Sequence, residues 1–263
     1  MTGSASTRVG PATSGAPALL TATALTRRYG SLTAVAGVDL RVAAGERHAL
    51  IGPNGAGKTT LLDLVGGAVR ADGGRIDYAG RDVTRLGPVR RARLGIARTP
   101  QRPAVWSSLT ARENVEVAAW RQAGGLRGVR TPGRFRSRLR EPALALLDRV
   151  GLADVAARTA AHLSHGQRRQ LEIAMALAGR PRLLLLDEPA AGLSGAEVQR
   201  LVTLLATLSR EVAVLLVEHR LDLVYALCDT VTVLRDGRLV ASGTPAEIRH
   251  SPAVRRAYAE AVR

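Results

Sequence analysis

The sequence predicts an α/β domain in which helices cover parallel strands. Three observations predict it. Apolar His48-Ala-Leu-Ile51 runs into Gly52-Pro-Asn-Gly-Ala-Gly-Lys-Thr59, and Leu61-Leu62 and Leu64-Val65 follow at helical spacing. That is the strand–loop–helix order of a phosphate-binding loop. Arg182–Leu186 and Val212–Val217 are aliphatic enough to be buried on both faces, as strands of a parallel sheet are. Each of these runs ends in acidic or imidazole groups, Asp187-Glu188 and Glu218-His219, at the carboxyl ends where open α/β sheets bind ligands.

The bulk properties agree. The chain of 263 residues is long enough for one large domain or for a core with a subdomain. It is 46% hydrophobic but only 3% aromatic, so its core must be aliphatic. No apolar run approaches the ~20 residues of a membrane span. Residues 1–17 are rich in Ser, Thr, Gly, Ala and Pro, lack the apolar stretch of a secretory signal, and read as a disordered tail. The single cysteine, Cys228, excludes an internal disulfide and suits a reducing cytoplasm. The net charge of +16 fits either an arginine-favouring proteome or an anionic membrane face. Nucleic acid is not expected, because no basic run is interleaved with aromatics for base stacking.

Taken in order, Ala18–Arg28 reads as a strand ended by Tyr29-Gly30. Leu32–Val42 reads as a second, with a turn at Ala44-Gly45. The third strand enters the phosphate loop, and the helix after it stops at Gly66-Gly67. Gly73–Ala79 is a short strand, Pro88–Leu94 a short basic helix, and Gly95–Arg98 a strand leading to Thr99-Pro100-Gln101. Thr110-Ala-Arg-Glu113 is a capping box that opens a helix to about Gln122. Residues 121–140 read as a basic loop, either a solvated surface or a contact for lipid head groups or a partner. Glu141-Pro142 opens a helix to Val150. A short helix follows from Gly151, then Leu163-Ser-His-Gly-Gln167, then a helix over Arg168–Ala178. Ser194-Gly-Ala-Glu197 is a second capping box, for a helix to Leu208. A helix over Leu221–Leu227, a hairpin turning at Asp236-Gly237, and a last helix from Ser251-Pro252 to about Val262 complete the chain.

The chemistry follows from placement. Glycines 52, 55 and 57 let the backbone curl so that N–H groups point inward, and the next helix begins with free N–H groups and a positive dipole end. The candidate nucleotide site is therefore Gly52, Pro53, Asn54, Gly55, Ala56, Gly57, Lys58, Thr59 and Thr60. Lys58 would reach the terminal phosphates as a point charge, and the Thr59 hydroxyl would hold Mg²⁺. Lys58 is the only lysine among 38 basic residues, and it stands where a planar guanidinium would not fit the cradle. Asp187 would hold Mg²⁺ beside that loop. Glu188 could polarise attacking water as general base. His219 could contact the γ-phosphate, and Gln101 could bridge Mg²⁺ and water.

Over roughly residues 18–262 the chain resembles the ATP-binding subunits of ABC transporters. Leu163-Ser-His-Gly-Gln167, about 20 residues before Asp187, looks like the Leu-Ser-x-Gly-Gln signature. The resemblance implies a phosphate-loop NTPase fold of ABC type: a mixed-sheet core, an antiparallel β subdomain, and an inserted helical subdomain at about 102–180. It implies that Tyr29 stacks on adenine, Gln101 is the Q-loop residue and His219 the switch histidine. Ser164, Gly166 and Gln167 would contact the ATP of a second ATPase subunit, self or sister, in a head-to-tail dimer. The cofactors implied are ATP and Mg²⁺, and the partners are transmembrane permease chains, with this chain peripheral on the cytoplasmic face.

A narrower resemblance joins the chain to the larger ATPase of branched-chain amino-acid importers, and to the related urea importers. It is carried by Gly95-Ile-Ala-Arg-Thr-Pro-Gln101, Arg168-Arg-Gln-Leu-Glu-Ile173, Asp187-Glu-Pro-Ala-Ala-Gly-Leu193, Val217-Glu-His219 and Gly243-Thr-Pro245. An exporter or lipid-extraction ATPase, or an ABC ATPase acting on nucleic acid, is the alternative. Two positions depart from the pattern. Pro100 stands where the subfamily has Phe, and Ser194 where many members have Asp.

Overall fold

The computed structural model describes residues 17–99, 105–122 and 132–259. The chain divides into two compact units, residues 1–85 with 215–263, and residues 86–214.

In the first unit, β1 (Ala18–Tyr29) and β2 (Leu32–Ala43) form a long antiparallel hairpin. β4 (Gly73–Tyr78) and β5 (Arg81–Asp82) extend it in the order β2-β1-β4-β5. One face of this sheet is apolar, because side chains alternate along a strand. Leu20, Ala22, Leu25, Val38, Leu40 and Val42 are all buried on it.

A mixed sheet forms the rest of the unit. β3 (Arg47–Ile51) is buried throughout. β9 (Thr230–Arg235) runs parallel beside it, from His48 opposite Thr230 to Ile51 opposite Val233. β10 (Arg238–Gly243) returns antiparallel after the turn at Asp236-Gly237. The last three residues of β8 (Ala213–Val217) also belong here, and the next N–H, that of Glu218, donates to the Leu50 carbonyl at 3.4 Å. α1 (Lys58–Gly66) buries Leu61, Leu62, Leu64 and Val65. Each such side chain contributes about 1.5–3 kcal/mol. Gly67, in left-handed geometry with φ 77°, ends the helix as the Gly66-Gly67 pair predicts. α7 (Leu221–Leu227) and α9 (Pro252–Ala259) stand where the sequence puts helices, α9 as far as the structure describes it.

α8 (Pro245–His250) was not expected from the sequence. Its signal is local: Thr244 and Glu247 form a capping box, and Pro245 opens the first turn. A buried polar chain crosses the mixed sheet. His48 bonds Glu46 Oε1 at 3.0 Å through Nδ1 and Thr232 Oγ1 at 2.8 Å through Nε2, and Thr232 bonds Ser242 at 2.9 Å. Cys228 is buried, and burial pushes its thiol up to about 12.

In the second unit, β6 (Ile96–Arg98) lies parallel to β7 (Leu183–Asp187), with Ile96 opposite Leu183 and Arg98 opposite Leu185. β7 is buried along its whole length. α2 (Pro88–Arg93) leads into β6. α3 (Ala111–Gln122) is opened by the expected Thr110–Glu113 capping box, the Thr110 N–H donating to Glu113 Oε2 at 3.0 Å. α6 (Gly195–Thr207) is opened by Ser194 and Glu197 in the same way.

Two helices correct the sequence reading. α4 (Pro132–Arg149) begins nine residues before the expected start at Glu141 and takes in the second half of the presumed basic loop. Pro132 takes the first position, and Pro142 lies inside the helix, where it lacks the N–H for the carbonyl four residues back. Four arginines and Leu139 between them are good helix formers. α5 (His165–Leu177) starts three residues before the expected Arg168, because Ser164 and Gln167 form a capping box. Of the tail expected over residues 1–17, only Pro17 is among the described residues.

Candidate functional site

The first unit carries the phosphate loop. Gly52 has φ 147° and Gly57 φ 94°, conformations a side chain resists. A Cβ on Gly52 would collide with the Leu234 carbonyl, and one on Gly57 with the Ala34 carbonyl, so the loop is set directly against neighbouring backbone. The hairpin turn clasps it. The Gly237 N–H donates to the Ala56 carbonyl at 3.1 Å, and the Gly237 carbonyl accepts from Ala36 N–H at 2.8 Å.

Lys58 folds back over the loop. Its Nζ donates to the Gly52 and Pro53 carbonyls, each at 2.8 Å, and the residue is 6% exposed. The N-cap of α1 is Gly57, which offers no side-chain acceptor to the first N–H groups, and the first turn holds no acidic residue. A positive helix end with no side-chain cap, together with an ammonium group held at the loop, fits a polyphosphate anion. Asn54 and Gly55 are exposed at the loop tip, whereas Thr59 and Thr60 are half-buried.

Tyr29 ends β1 and is 44% exposed. The Arg27 guanidinium covers one face of its ring at 4.6 Å, and Asp72 holds that guanidinium at 3.1 Å. The ring is thus fixed with apolar surface presented to solvent. His219 is exposed just past β8. Its backbone N–H donates to Glu218 Oε2 at 2.9 Å, and the Arg220 N–H to the same oxygen at 3.2 Å. Buried Glu218 therefore shapes the turn that carries His219.

The second unit carries the acidic pair and the signature segment. Asp187 ends β7, is 1% exposed, and pairs with Arg98 of β6 at 3.2 Å. Glu188 follows with φ 46°. The left-handed region costs a residue with a Cβ about 1–2 kcal/mol, so neighbouring bonds must hold it. Ala191 N–H donates to the Glu188 carbonyl at 3.1 Å, and Arg169 of α5 donates to the same carbonyl, also at 3.1 Å.

In the signature segment, Ser164 and Gln167 cap each other across the first turn of α5: the Ser164 N–H donates to Gln167 Oε1 at 2.9 Å, and Gln167 N–H to Ser164 Oγ at 3.1 Å. Gly166 lies against the Glu197 carboxylate, which leaves no room there for a side chain. The Ser194 N–H and hydroxyl, helped by the Gly166 N–H, hold the Glu197 carboxyl below its ordinary value.

Lys58, Tyr29 and His219 thus belong to one unit, and Asp187, Glu188, Ser164, Gly166 and Gln167 to the other. Gln101 and its neighbour Pro100 lie outside the described residues. The sequence does not mark Arg98, Arg169 or Glu218 by their partners, which become visible only in the fold; it does pair Glu197 with Ser194, but not with Gly166.

Residues 35–191 match the ABC transporter family, and residues 238–258 match the family described as branched-chain amino acid ATP-binding cassette transporter. The high-affinity branched-chain amino acid transport ATP-binding protein BraF of Pseudomonas aeruginosa is 41% identical over 247 residues, 91% of this chain and 97% of that protein. LivG of Salmonella typhimurium, which bears the same description, is 39% identical with the same coverage. The lipopolysaccharide export system ATP-binding protein LptB of Acidithiobacillus ferridurans is 38% identical over 243 residues, covering 91% of this chain and 96% of that one. Among solved structures, the ADP conformation of MJ1267, an ATP-binding cassette of an ABC transporter, superposes with a TM-score of 0.80 at 27% identity, covering 92% of this chain and 99% of that one.

Proposed function

Because this chain belongs to the ABC transporter family, as an ATP-binding cassette, we propose that it hydrolyses ATP to power a membrane importer for branched-chain or other hydrophobic amino acids, or urea. The observation that carries the importer reading is the match of residues 238–258 to the branched-chain cassette family, beside 41% identity to BraF. The observation that supports nucleotide binding is the loop geometry: Lys58 folded onto the loop at a helix start that has no side-chain cap.

The residues divide the work. The N–H groups of Gly55, Gly57, Lys58, Thr59 and Thr60, with Pro53, Asn54 and Ala56 shaping the curl, hold the phosphates, and the Lys58 ammonium offsets their charge. Tyr29 stacks on the base. Thr59 and Asp187 offer hard oxygen donors of the kind Mg²⁺ takes, with Gln101 in the same role. Mg²⁺, when bound, supplies charge neutralisation at the phosphates. Glu188 accepts a proton from the attacking water, and His219 donates a hydrogen bond to the phosphate being cleaved. Ser164, Gly166 and Gln167 face the nucleotide of a second ATPase subunit, self or sister, in a head-to-tail pair.

Permease chains supply the membrane path and the solute selectivity. Among the described residues no helix is long and apolar enough to cross a membrane, and we place the chain on the cytoplasmic face, held by those permeases. An exporter reading has its own support in the 38% identity to LptB; the C-terminal match favours the importer.

The experiment is a gentle-detergent pull-down of tagged Glu188→Gln with ATP, read by mass spectrometry, followed by solute uptake in vesicles holding the recovered partners with the wild-type chain. Permease chains and ATP-driven uptake of leucine or urea are expected. Recovery of lipopolysaccharide-handling partners would favour the exporter, and recovery of nucleic-acid partners without membrane proteins would overturn transport.

A further inference from the structure

The arginine at 169 gathers four acceptors within the second unit. Its Nη2 donates to the Asp187 carbonyl at 2.7 Å and to the Glu188 carbonyl at 3.1 Å. Its Nε donates to the Pro189 carbonyl at 3.3 Å, and its Nη1 to Glu172 Oε2 at 2.8 Å. One planar fork therefore gathers three successive backbone carbonyls, and the Glu172 carboxylate, whose side chain is 2% exposed, orients the fork.

Two facts give this cluster a role in the reaction. The gathered segment contains Glu188 in its left-handed conformation with φ 46°, so the direction of the Glu188 side chain depends on bonds that hold its backbone there. And Arg169 stands on α5, five residues after Ser164, the N-cap of the signature helix. A helix is rigid over so short a span, so any shift of the signature end carries the arginine fork with it, and the fork carries the backbone of the base.

We propose that Arg169 is a positioning residue that couples engagement of the signature helix to alignment of Glu188. The inference rests on the proposed function and deepens it. In a head-to-tail pair, α5 faces the partner's nucleotide while Glu188 faces its own, so Arg169 links the two sites inside one subunit. This gives a route for cross-site coupling in a chain that has Ser194, already engaged as a helix cap, where a carboxylate is common in the family. Nothing leaves Arg169 as a proton or an electron pair; it acts through backbone geometry alone.

The test compares the full wild-type chain with Arg169→Lys and with the double variant Arg169→Ala/Glu172→Gln. Lysine keeps a positive charge beside Glu172 but lacks the fork; the double variant removes both charges together. Each is measured for thermal melting, ATP affinity and steady-state ATPase. The expected result is a split: melting and affinity within about twofold of wild type, and kcat lower by at least about tenfold in both variants, since small misplacements of a catalytic group are costly. Unchanged kcat in the lysine variant would overturn the proposal. So would a loss of kcat that tracks lost affinity or lost folding, which would make Arg169 a structural brace only. A wild-type chain without ATPase activity would instead overturn the functional reading, and this inference with it.

Discussion

Gly237 donates its backbone N–H to the Ala56 carbonyl at 3.1 Å, so the tip of the β9–β10 hairpin holds the middle of the phosphate loop. Gly237 has φ 71°, and a Cβ there would sit 2.8 Å from the Ala34 carbonyl oxygen. Gly237→Val should therefore cost about 1–3 kcal/mol of stability and weaken ATP binding through the displaced loop. Urea melts and a nucleotide titration check this; normal affinity in a destabilised variant would show that the loop keeps its shape without the hairpin.

Lys58→Ala should lose nucleotide binding, since no other lysine exists and the loop closes around this one. Glu188→Gln should behave oppositely, binding ATP but turning it over about 10²–10⁴-fold more slowly. Equilibrium binding beside steady-state turnover separates the two. Near-normal turnover in the glutamine variant would remove Glu188 from the role of base.

Gly166→Ala should push the Glu197 carboxylate out of its place, because the new methyl needs the same space. Glu197 is pinned by Ser194 N–H at 2.9 Å and Ser194 Oγ at 2.8 Å, so displacing it breaks the cap of α6. The expected loss is about 1 kcal/mol, as for other N-caps. Gly166→Ala added to Glu197→Ala should cost little more than Glu197→Ala alone. Additive losses in that double-mutant cycle would mean the two residues do not compete.

Acid should weaken the chain through Glu46. Burial pushes its carboxyl up, but the hydrogen bond and charge of His48, with the Ala43 N–H, more than offset this, and the net direction is down from 4.5. A carboxyl with a lowered folded value adds stability above its unfolded value and loses it as pH falls through the folded one. Stability should thus decline as pH falls below about 4.5, and Glu46→Gln should flatten that limb while costing about 1–3 kcal/mol at neutral pH. Urea melts across the pH range give the two curves; superimposable acid limbs would clear Glu46 of the effect.

Much of this architecture is legible in the sequence because its signals are local. β7 announces itself by four leucines, α3 and α6 by capping boxes, and the phosphate loop by glycines with defined spacing. Where a local signal was ambiguous the reading failed: Pro142 looks like a helix opener, yet Pro132 opens α4. The α8 start is equally local, with Thr244, Pro245 and Glu247 within four residues, but the helix is a short one of six residues. Arg169 is a different case. Glu172 is its helical neighbour three residues on, but the carbonyls it gathers lie 18–20 residues away, at the end of a buried strand and in the turn after it, and no spacing rule marks them. Arg98 is hidden for the same reason, since it gains its meaning from Asp187, a neighbour that only folding supplies.

The solitary lysine makes the chain its own chemical gauge. An acylating reagent aimed at amines finds, apart from the amino end, one side chain, and that side chain is 6% exposed under the loop it closes. The rate at which that one amine is tagged therefore reads how well the phosphate cradle shields it, in the intact chain, without any label engineered into it.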